Sequence, residues 1–278
     1  MGFTIATMHN PTVPETLEGW SVLHLMYRVR WDQLRAKADA DRQKLADEAI
    51  NALAVPDAGS TAFVQVLGHK ADLMIICFRR GFEQLAGAQL AFSRTALHEM
   101  LEPTSSYVSI VELGMYEMTA KLHAQLGATH KPDTEEFDRA FDAEMEMQRQ
   151  RVMNRLFIDM PAARYVSFYP MNKRRGEAFN WYSESFDRRS TMMREHGMIG
   201  RHYAGKVTQV ISGSIGFDDW EWGVDLFAND PLVFKKLIYE MRFDEASARF
   251  AEFGPFYVGL QFAADQLAAY LGGKLPSL

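Results

Sequence analysis

The chain has 278 residues, 47% of them hydrophobic and 24% charged, which is a composition typical of a folded globular protein. Its formal net charge of −6 argues against nucleic-acid binding, which needs a basic surface. No secretory signal is recognised near the N-terminus, and no apolar run is long enough to span a bilayer.

The first part of the chain has strands and helices in alternation. Gly19–Arg30 has the pattern of a strand, and the charged segment Trp31–Leu53 has helical periodicity. Two strands, a second helix and a closing strand follow, in the segments "TAFVQVLG", "ADLMIICFRR", "GFEQLAGAQLAFSRTALHEML" and "SSYVSIVELGMY". The order is therefore β-α-β-β-α-β. The single cysteine, Cys77, cannot form an internal disulfide, which favours a cytoplasmic location.

The second part repeats this order of elements. A strand in "ARYVSFYPM" precedes a helix that runs to His196, and the remaining elements lie in "GKVTQVISGSIG", "WEWGVDLFA", "DPLVFKKLIYEMRFDEASARFAEF" and "PFYVGLQF". The pattern predicts an α+β fold with two ferredoxin-like (βαββαβ) domains, packed as a dimeric α/β barrel-like unit that encloses a cavity. The predicted parts are an N-terminal extension (1–18), an N-terminal domain (19–116), a helical connector (117–162), a C-terminal domain (163–262) and a tail (263–278).

His196 is placed where its helix is predicted to end. Ser185 is the expected N-cap, Asp187 lies in the first turn, and Gly197 is a suitable residue just after the last turn. A histidine at a helix C-terminus can simply be a favourable partner of the helix dipole. The sequence has no zinc-type Cys/His spacing, and His202 shares no predicted helical face with His196. A lone histidine ligand makes sense mainly for haem, whose porphyrin supplies the other four donors.

Gln209 stands on the same strand face as Val207 and Ile211, where apolar side chains are expected. A buried amide without partners costs about 1–3 kcal/mol. Two interpretations follow from the pattern: an edge strand exposed to solvent, or an amide aimed into a cavity.

Tyr169 belongs to a row of alternating residues that also contains Tyr165, Ser167 and Met171. Such a tyrosine is often only amphipathic packing, but Lys173 follows closely and could hold an anionic ligand near the phenol. Further candidates, each of which could instead be a solvated side chain or a cap, are Arg155, Arg201 and Ser247. Phosphate-binding glycine loops and a GxSxG nucleophile motif are absent from the sequence.

Several segments in this order resemble the coproheme decarboxylases of the chlorite dismutase superfamily. They are "YPMNKRR", "NWY", "REHGMIGR", "GKVTQVISGSIG", "DDWEWGV", "YEMRFDEASARF" and "FGPFYVG". The similarity covers Gly19 to about Phe262 and is strongest from Arg164 onward. It implies two ferredoxin-like domains in each subunit, a C-terminal domain that holds the porphyrin, and a ring of subunits, usually a homopentamer.

The resemblance also implies roles for individual residues. His196 of the "EHG" motif would be the proximal iron ligand, Tyr169 of "YPMxK" the radical site, and Gln209 would face the open side of the iron. The residues that would contact the porphyrin or its propionates are Arg155, Met171, Lys173, Arg201 and Ser247.

The reaction implied is the last step of coproporphyrin-dependent haem synthesis. Two propionates of iron coproporphyrin III (coproheme) are decarboxylated to the vinyl groups of haem b, with hydrogen peroxide as oxidant and a tyrosyl radical as intermediate. A transient contact with a coproporphyrin ferrochelatase is a further expectation. The alternatives are a haem peroxidase and a haem-binding carrier or sensor. Chlorite dismutase activity is not expected, because Gln209 stands where those enzymes carry an arginine.

Overall fold

The structure is a computed structural model that describes residues 11–55 and 57–278. Most of the predicted N-terminal extension lies outside these residues. The described part contains two α/β units, which are joined by a helical connector. None of its helices is both long and apolar enough to cross a membrane.

The first unit runs from β1 to β4. Its elements are β1 (Thr16–Val29), α1 (Trp31–Arg35), α2 (Asp39–Ala52), β2 (Ser60–Val66), β3 (Leu73–Arg79), α3 (Phe82–Ser93) and β4 (Leu101–Gly114). The β3 sequence "LMIICFR" is buried at every position and so lacks an alternating pattern. A strand covered on both faces has this character, with helices on one side and the centre of the molecule on the other.

The connector and the second unit complete the described chain. The connector contains α4 (Tyr116–Gly127) and α5 (Glu135–Leu156), as its polar helical pattern predicted. The second unit and the tail contain β5 (Tyr165–Lys173), α6 (Phe186–Arg201), β6 (Thr208–Gly213), β7 (Trp222–Ala228), α7 (Leu232–Met241), α8 (Glu245–Phe250), β8 (Ala251–Phe253), β9 (Tyr257–Phe262) and α9 (Leu267–Leu271).

The strands form one antiparallel sheet, in which the two units have equivalent strand orders. The first unit has the order β4-β1-β3-β2, and the second has β9-β5-β7-β6. Phe63 of β2 lies opposite Phe262 of β9, and Ile110 of β4 lies opposite Gly213 of β6. These two junctions close eight strands into a ring, with β8 beside β5. The two predicted βαββαβ units are confirmed; their residue boundaries stay predictions, because both units share this sheet.

Apolar side chains occupy three main layers around the sheet. Inside the ring, Ile76 of the first unit packs in one cluster with Phe168 and Phe227 of the second. Outside it, α2, α3 and α9 cover the first unit with a large apolar core. The outer face of the second unit carries a smaller cluster around Tyr169, to which α7 contributes.

Three predicted helices are shorter than the patterns suggested. The first is divided into α1 and α2, because the Arg42 guanidinium donates to the carbonyl oxygens of Leu34 and Lys37 at the end of α1. The second ends at Ser93 as α3. The last predicted helix is divided into α7, α8 and the short strand β8, because Asp244 begins a new helix by accepting from the Ser247 backbone N–H at 2.8 Å.

Candidate functional site

His196 lies inside α6 and not at its end, so the predicted helix terminus is wrong. Ser185 is the N-cap and accepts from the Arg188 backbone N–H, as expected, but the helix continues through Gly197 to Arg201. A glycine costs about 1 kcal/mol in a helix relative to alanine, yet it does not end one by itself. The helix dipole therefore does not explain His196, which stands more than a turn before the C-terminus.

The His196 side chain is held by the carboxylate of Asp244, the N-cap residue of α8. Its Nδ1 lies 2.9 Å from Asp244 Oδ2 and 3.4 Å from Ser247 Oγ. Burial raises the pKa of the Asp244 carboxyl, but the hydrogen bonds from His196 and Ser247 outweigh it, and the net pKa is lowered. An ionised carboxylate is a strong acceptor for an imidazole N–H. This bond fixes the ring and directs Nε2 away from Asp244.

The opposite nitrogen of His196 is available for a ligand. Within residues 11–55 and 57–278, Nε2 has no hydrogen-bond partner, and the side chain is 27% exposed. A carboxylate bound to one ring nitrogen is the usual companion of a metal on the other. The donor set therefore fits a haem iron.

Tyr169 lies on the outer face of β5 and is almost completely buried. Its ring stacks on Phe256 at 4.4 Å between centroids and contacts Phe253 at 5.7 Å. Burial raises the pKa of the phenol, and the Arg242 guanidinium opposes that effect. The phenol thus keeps its proton at neutral pH in a surrounding of aromatic rings.

Lys173 stands on the same face of β5, four residues beyond Tyr169, which is about 13 Å along the strand. It is buried, and its Nζ lies 4.3 Å from the centroid of the Trp181 ring. Burial lowers the pKa of Lys173 to about 8, although Asp244 and Glu221 act in the opposite direction. A buried ammonium group of this kind is well suited to bind an anionic group, because the negative charge would stabilise the protonated lysine.

Gln209 is a half-buried residue of β6, a strand that lies between two others of the ring and is paired on both sides only near its C-terminal end. Along its length β6 pairs with β7, and Ser212 and Gly213 also pair with β4. Gln209 lies opposite Leu226 on the outer face that also carries Tyr169. A Cβ added to Gly200 of α6 would lie 3.6 Å from Gln209 Nε2, so this amide faces the helix one turn after His196.

Four other residues were predicted to belong to the site, namely Met171, Ser247, Arg201 and Arg155. Met171 packs against the same cluster as Tyr169, and Ser247 is buried beside Asp244. Arg201 ends α6 as an exposed residue, and Arg155 is exposed in the last turn of α5. In the described part of the chain, neither arginine has an ion pair or hydrogen bond with the other site residues. Their roles stay predictions.

Three further residues at this site did not emerge from the sequence patterns. Asp244 was hidden in a predicted long helix, although Asp-Glu-Ala-Ser has the form of an N-cap. Glu221 accepts from the Lys173 backbone N–H at 2.7 Å. Arg242 lies over the Phe253 ring at 5.2 Å, close to Tyr169. All three depend on contacts between distant segments.

These features define a protein that can bind haem on the outer face of its second unit. At this site the Nε2 of His196 is free, and no group of three or more His, Cys, Asp or Glu side chains in the described residues could hold a metal ion. A porphyrin needs only one such ligand.

Comparison with known proteins agrees with this class. The family model described as chlorite dismutase matches residues 42–262. A coproheme decarboxylase of Staphylococcus saprophyticus is 41% identical over 92% of this chain and 97% of its own length. A coproheme decarboxylase of Staphylococcus carnosus is 43% identical, over 92% and 97% respectively. The chain belongs to the chlorite dismutase family.

Solved structures give the same result for the fold. The structure of a heme-binding protein from Thermus thermophilus has a TM-score of 0.79 and 40% identity, and covers 95% of this chain and 99% of the other. A chlorite dismutase variant from Candidatus Nitrospira defluvii has a TM-score of 0.68 at 14% identity, with coverages of 91% and 95%. The latter supports the fold alone.

Proposed function

We propose that this chain catalyses the peroxide-dependent oxidative decarboxylation of two propionates of coproheme, which gives haem b. The proposal is supported by the two relatives named coproheme decarboxylase. The observation that carries it is the pairing, on one face of the second unit, of a buried phenol with a carboxylate-held imidazole. A haem carrier would need the imidazole and not the phenol.

Each decarboxylation is a two-electron oxidation of the substrate. A propionate side chain, one hydrogen peroxide and one proton give a vinyl group, carbon dioxide and two water molecules. The iron porphyrin, when bound, supplies the oxidising chemistry by reaction with peroxide. The protein's task is to place its own groups around the propionate that reacts.

His196 and Asp244 orient the substrate. His196 Nε2 would hold the iron, while Asp244 keeps the imidazole in the required tautomer through Nδ1. Ser247 binds the same carboxylate and thereby fixes it, with its Oγ 3.2 Å from Asp244 Oδ2.

Tyr169 carries the oxidising equivalent to the propionate. Its phenol would give up a hydrogen atom to the oxidant that peroxide supplies, which is thereby reduced by one electron, and would become a phenoxyl radical. The radical then takes a hydrogen atom from the propionate β-carbon, which restores the phenol. The second oxidising equivalent of the same peroxide would take one more electron from the substrate, which releases carbon dioxide and leaves the vinyl group. Phe256 and Phe253 exclude water around this ring.

Polar and cationic groups around Tyr169 hold the substrate. Lys173 is the buried cation for a propionate, and its charge is stabilised when the carboxylate arrives. The groups proposed to contact the porphyrin or its remaining propionates are Arg155, Met171, Arg201 and Ser247. Gln209 would donate from its amide on the side of the iron where peroxide reacts.

The proposal also includes the oligomeric state and the cellular location of the protein. We infer a homopentamer in the cytoplasm that receives coproheme through transient contact with a coproporphyrin ferrochelatase. The support is family resemblance. Light scattering of the purified protein, with and without a ferrochelatase, measures both associations.

Substitution of one hydroxyl tests the central claim. Tyr169→Phe should still bind coproheme, but both decarboxylations should nearly disappear while peroxide continues to react with the iron. The matched control is Tyr27→Phe, since Tyr27 is also buried in the first strand of its unit and its pKa is raised by burial to about 12.

Product mass after peroxide titration distinguishes the possibilities. If Tyr169 only makes a hydrogen bond, the loss should be about 0.5–1.5 kcal/mol, or roughly tenfold at most in rate. Ready formation of haem b by Tyr169→Phe would overturn the proposal. A wild-type protein that reacts with peroxide but leaves coproheme intact would favour a peroxidase.

A further inference from the structure

A buried polar pair lies inside the ring of strands, on the side of the sheet away from the proposed site. His24 Nε2 of β1 is 3.0 Å from Asp225 Oδ1 and 3.1 Å from Oδ2 of β7. The two side chains are 0% and 1% exposed. Since β1 belongs to the first unit and β7 to the second, the pair connects the units through the centre of the ring.

The His24 imidazole also packs against the strand that carries Tyr169. It stacks on Phe168 at 4.0 Å between centroids, with the rings 21° from parallel. Phe168 lies opposite Asp225 in the β5–β7 pairing and stacks on Tyr257 of β9 at 6.3 Å. Both partners of the polar pair therefore contact or oppose one residue, Phe168.

A second ring stack lies directly behind the first, on the outer face of the sheet. Neighbouring residues in a strand point to opposite faces, so Tyr169 is outside where Phe168 is inside. Tyr169 stacks on Phe256, the residue before Tyr257, at 4.4 Å. The inner and outer stacks are therefore carried by neighbouring residues of one strand, which couples them through the β5 backbone.

The Tyr169 ring depends on this packing for its orientation. In the part of the chain that the structure describes, its hydroxyl has no hydrogen-bond partner. No polar contact there can correct a displaced ring. The position of the phenol is thus set by β5 and by the side chains that pack against its ring, among them Phe253 and Phe256.

Fold stability alone is a poor explanation for the pair. Apolar side chains of similar volume can often replace two buried, hydrogen-bonded polar partners without loss of stability. His24 Nδ1 is moreover buried without a hydrogen-bond partner in the described residues. The other titratable side chain in contact is Tyr107 of β4, whose ring lies 6.2 Å from His24 and whose hydroxyl donates to the Trp220 carbonyl oxygen.

We propose that His24 and Asp225 are positioning residues, which brace Phe168 from inside the ring and so fix the Tyr169 phenol on the outer face. The role of that phenol in catalysis rests on the proposed function; its placement by the pair does not.

The test uses apolar replacement of both partners, His24→Leu with Asp225→Leu, which keeps the centre of the ring packed. Tyrosines are labelled as 3-fluorotyrosine, and the ¹⁹F resonance of Tyr169 is assigned by its absence in Tyr169→Phe. We expect this resonance to shift or broaden in the double variant without added porphyrin. The exposed Tyr239 serves as an internal control whose signal should stay unchanged.

A matched control separates positioning from general destabilisation. Ile75→Val removes a methylene from the buried core of the first unit, far along the chain from β5, and should leave the Tyr169 resonance in place. With coproheme and peroxide, the double variant should lose about ten- to a hundredfold in kcat with little change in KM, because the reacting groups are misplaced.

The results test the positioning role and the proposed function separately. An unchanged Tyr169 resonance in a folded double variant overturns the positioning role, and so does an equal shift in Ile75→Val. If the double variant does not fold, Asp225→Asn is measured in the same way and judged by the same resonance. A wild-type protein that forms no haem b refutes the proposed function alone and leaves the resonance result valid.

Discussion

The two units have the same order of strands, but they use their outer faces differently. The first unit is sealed by α2, α3 and α9 over aliphatic side chains such as Ile75 and Leu73. The second unit carries Tyr169 and Gln209 on the corresponding face, where the apolar cluster is smaller and side chains such as Ile211 are 42% exposed. One repeat thus provides most of the core, and the other provides chemistry. The fold alone would not reveal which is which.

The largest effect expected in the second unit is loss of haem binding in His196→Ala. Removal of the ligand should weaken haem b affinity by more than about a hundredfold, since changes in ligand-supporting residues alone cost ten- to a hundredfold. The control is His202→Ala, in the residue that directly follows α6 and whose side chain is 69% exposed. Equal haem affinity and an unchanged iron spectrum in His196→Ala would contradict the assignment.

The outer face of the first unit should affect stability and not chemistry when it is changed. Ile75→Ala leaves a cavity in a fully buried position and should cost about 2–5 kcal/mol in the free energy of unfolding. Activity per folded molecule should stay near wild type. Urea titration and peroxide titration of the same sample measure the two quantities. A fall in turnover at full occupancy of the folded state would show that the faces are not independent.

The pH dependence of coproheme binding tests the role of Lys173 in the second unit. Lys173 has a pKa lowered by burial to about 8, so it loses its charge as pH rises through that value in the free protein. Affinity for the anionic porphyrin should therefore fall by about tenfold between pH 7 and 9. Lys173→Met should bind more weakly and lack this step, whereas Lys235→Met, at an exposed position, should retain it. The same step in Lys173→Met would assign it to another group.

The smallest effect is expected at Gln209. Gln209→Ala should reduce turnover by about tenfold or less, because one amide hydrogen bond is worth about 0.5–1.5 kcal/mol. Gln209→Arg introduces the residue expected at this position in chlorite dismutases, so its activity on chlorite can be compared with theirs. Oxygen evolution from chlorite by the wild-type protein, measured with an electrode, would refute the exclusion of that activity.

The order of elements was predictable because strand and helix periods are local properties of the sequence. Tyr169 and Gln209 could be assigned to strand faces on the same basis. The end of α6 could not be predicted in this way. Two glycines suggest an earlier terminus, but the helix packs against α7 and β6 and continues through both glycines. The role of Asp244 was not predictable, because this N-cap residue interrupts a segment whose pattern is that of one continuous helix. The contact of Asp244 with His196 joins residues 48 positions apart, which no local pattern contains.

The closure of the ring has a consequence for how the chain matures. Strands β2 and β4 are made early, but their outer edges pair with β9 and β6 of the second unit. Until those strands emerge from the ribosome, the nascent first unit presents two open sheet edges, which are sites of aberrant pairing. Its core also lacks Leu267 and Leu271 until α9, which follows the second unit in the chain, has been made. Protection of these edges during synthesis would then favour correct folding of the chain.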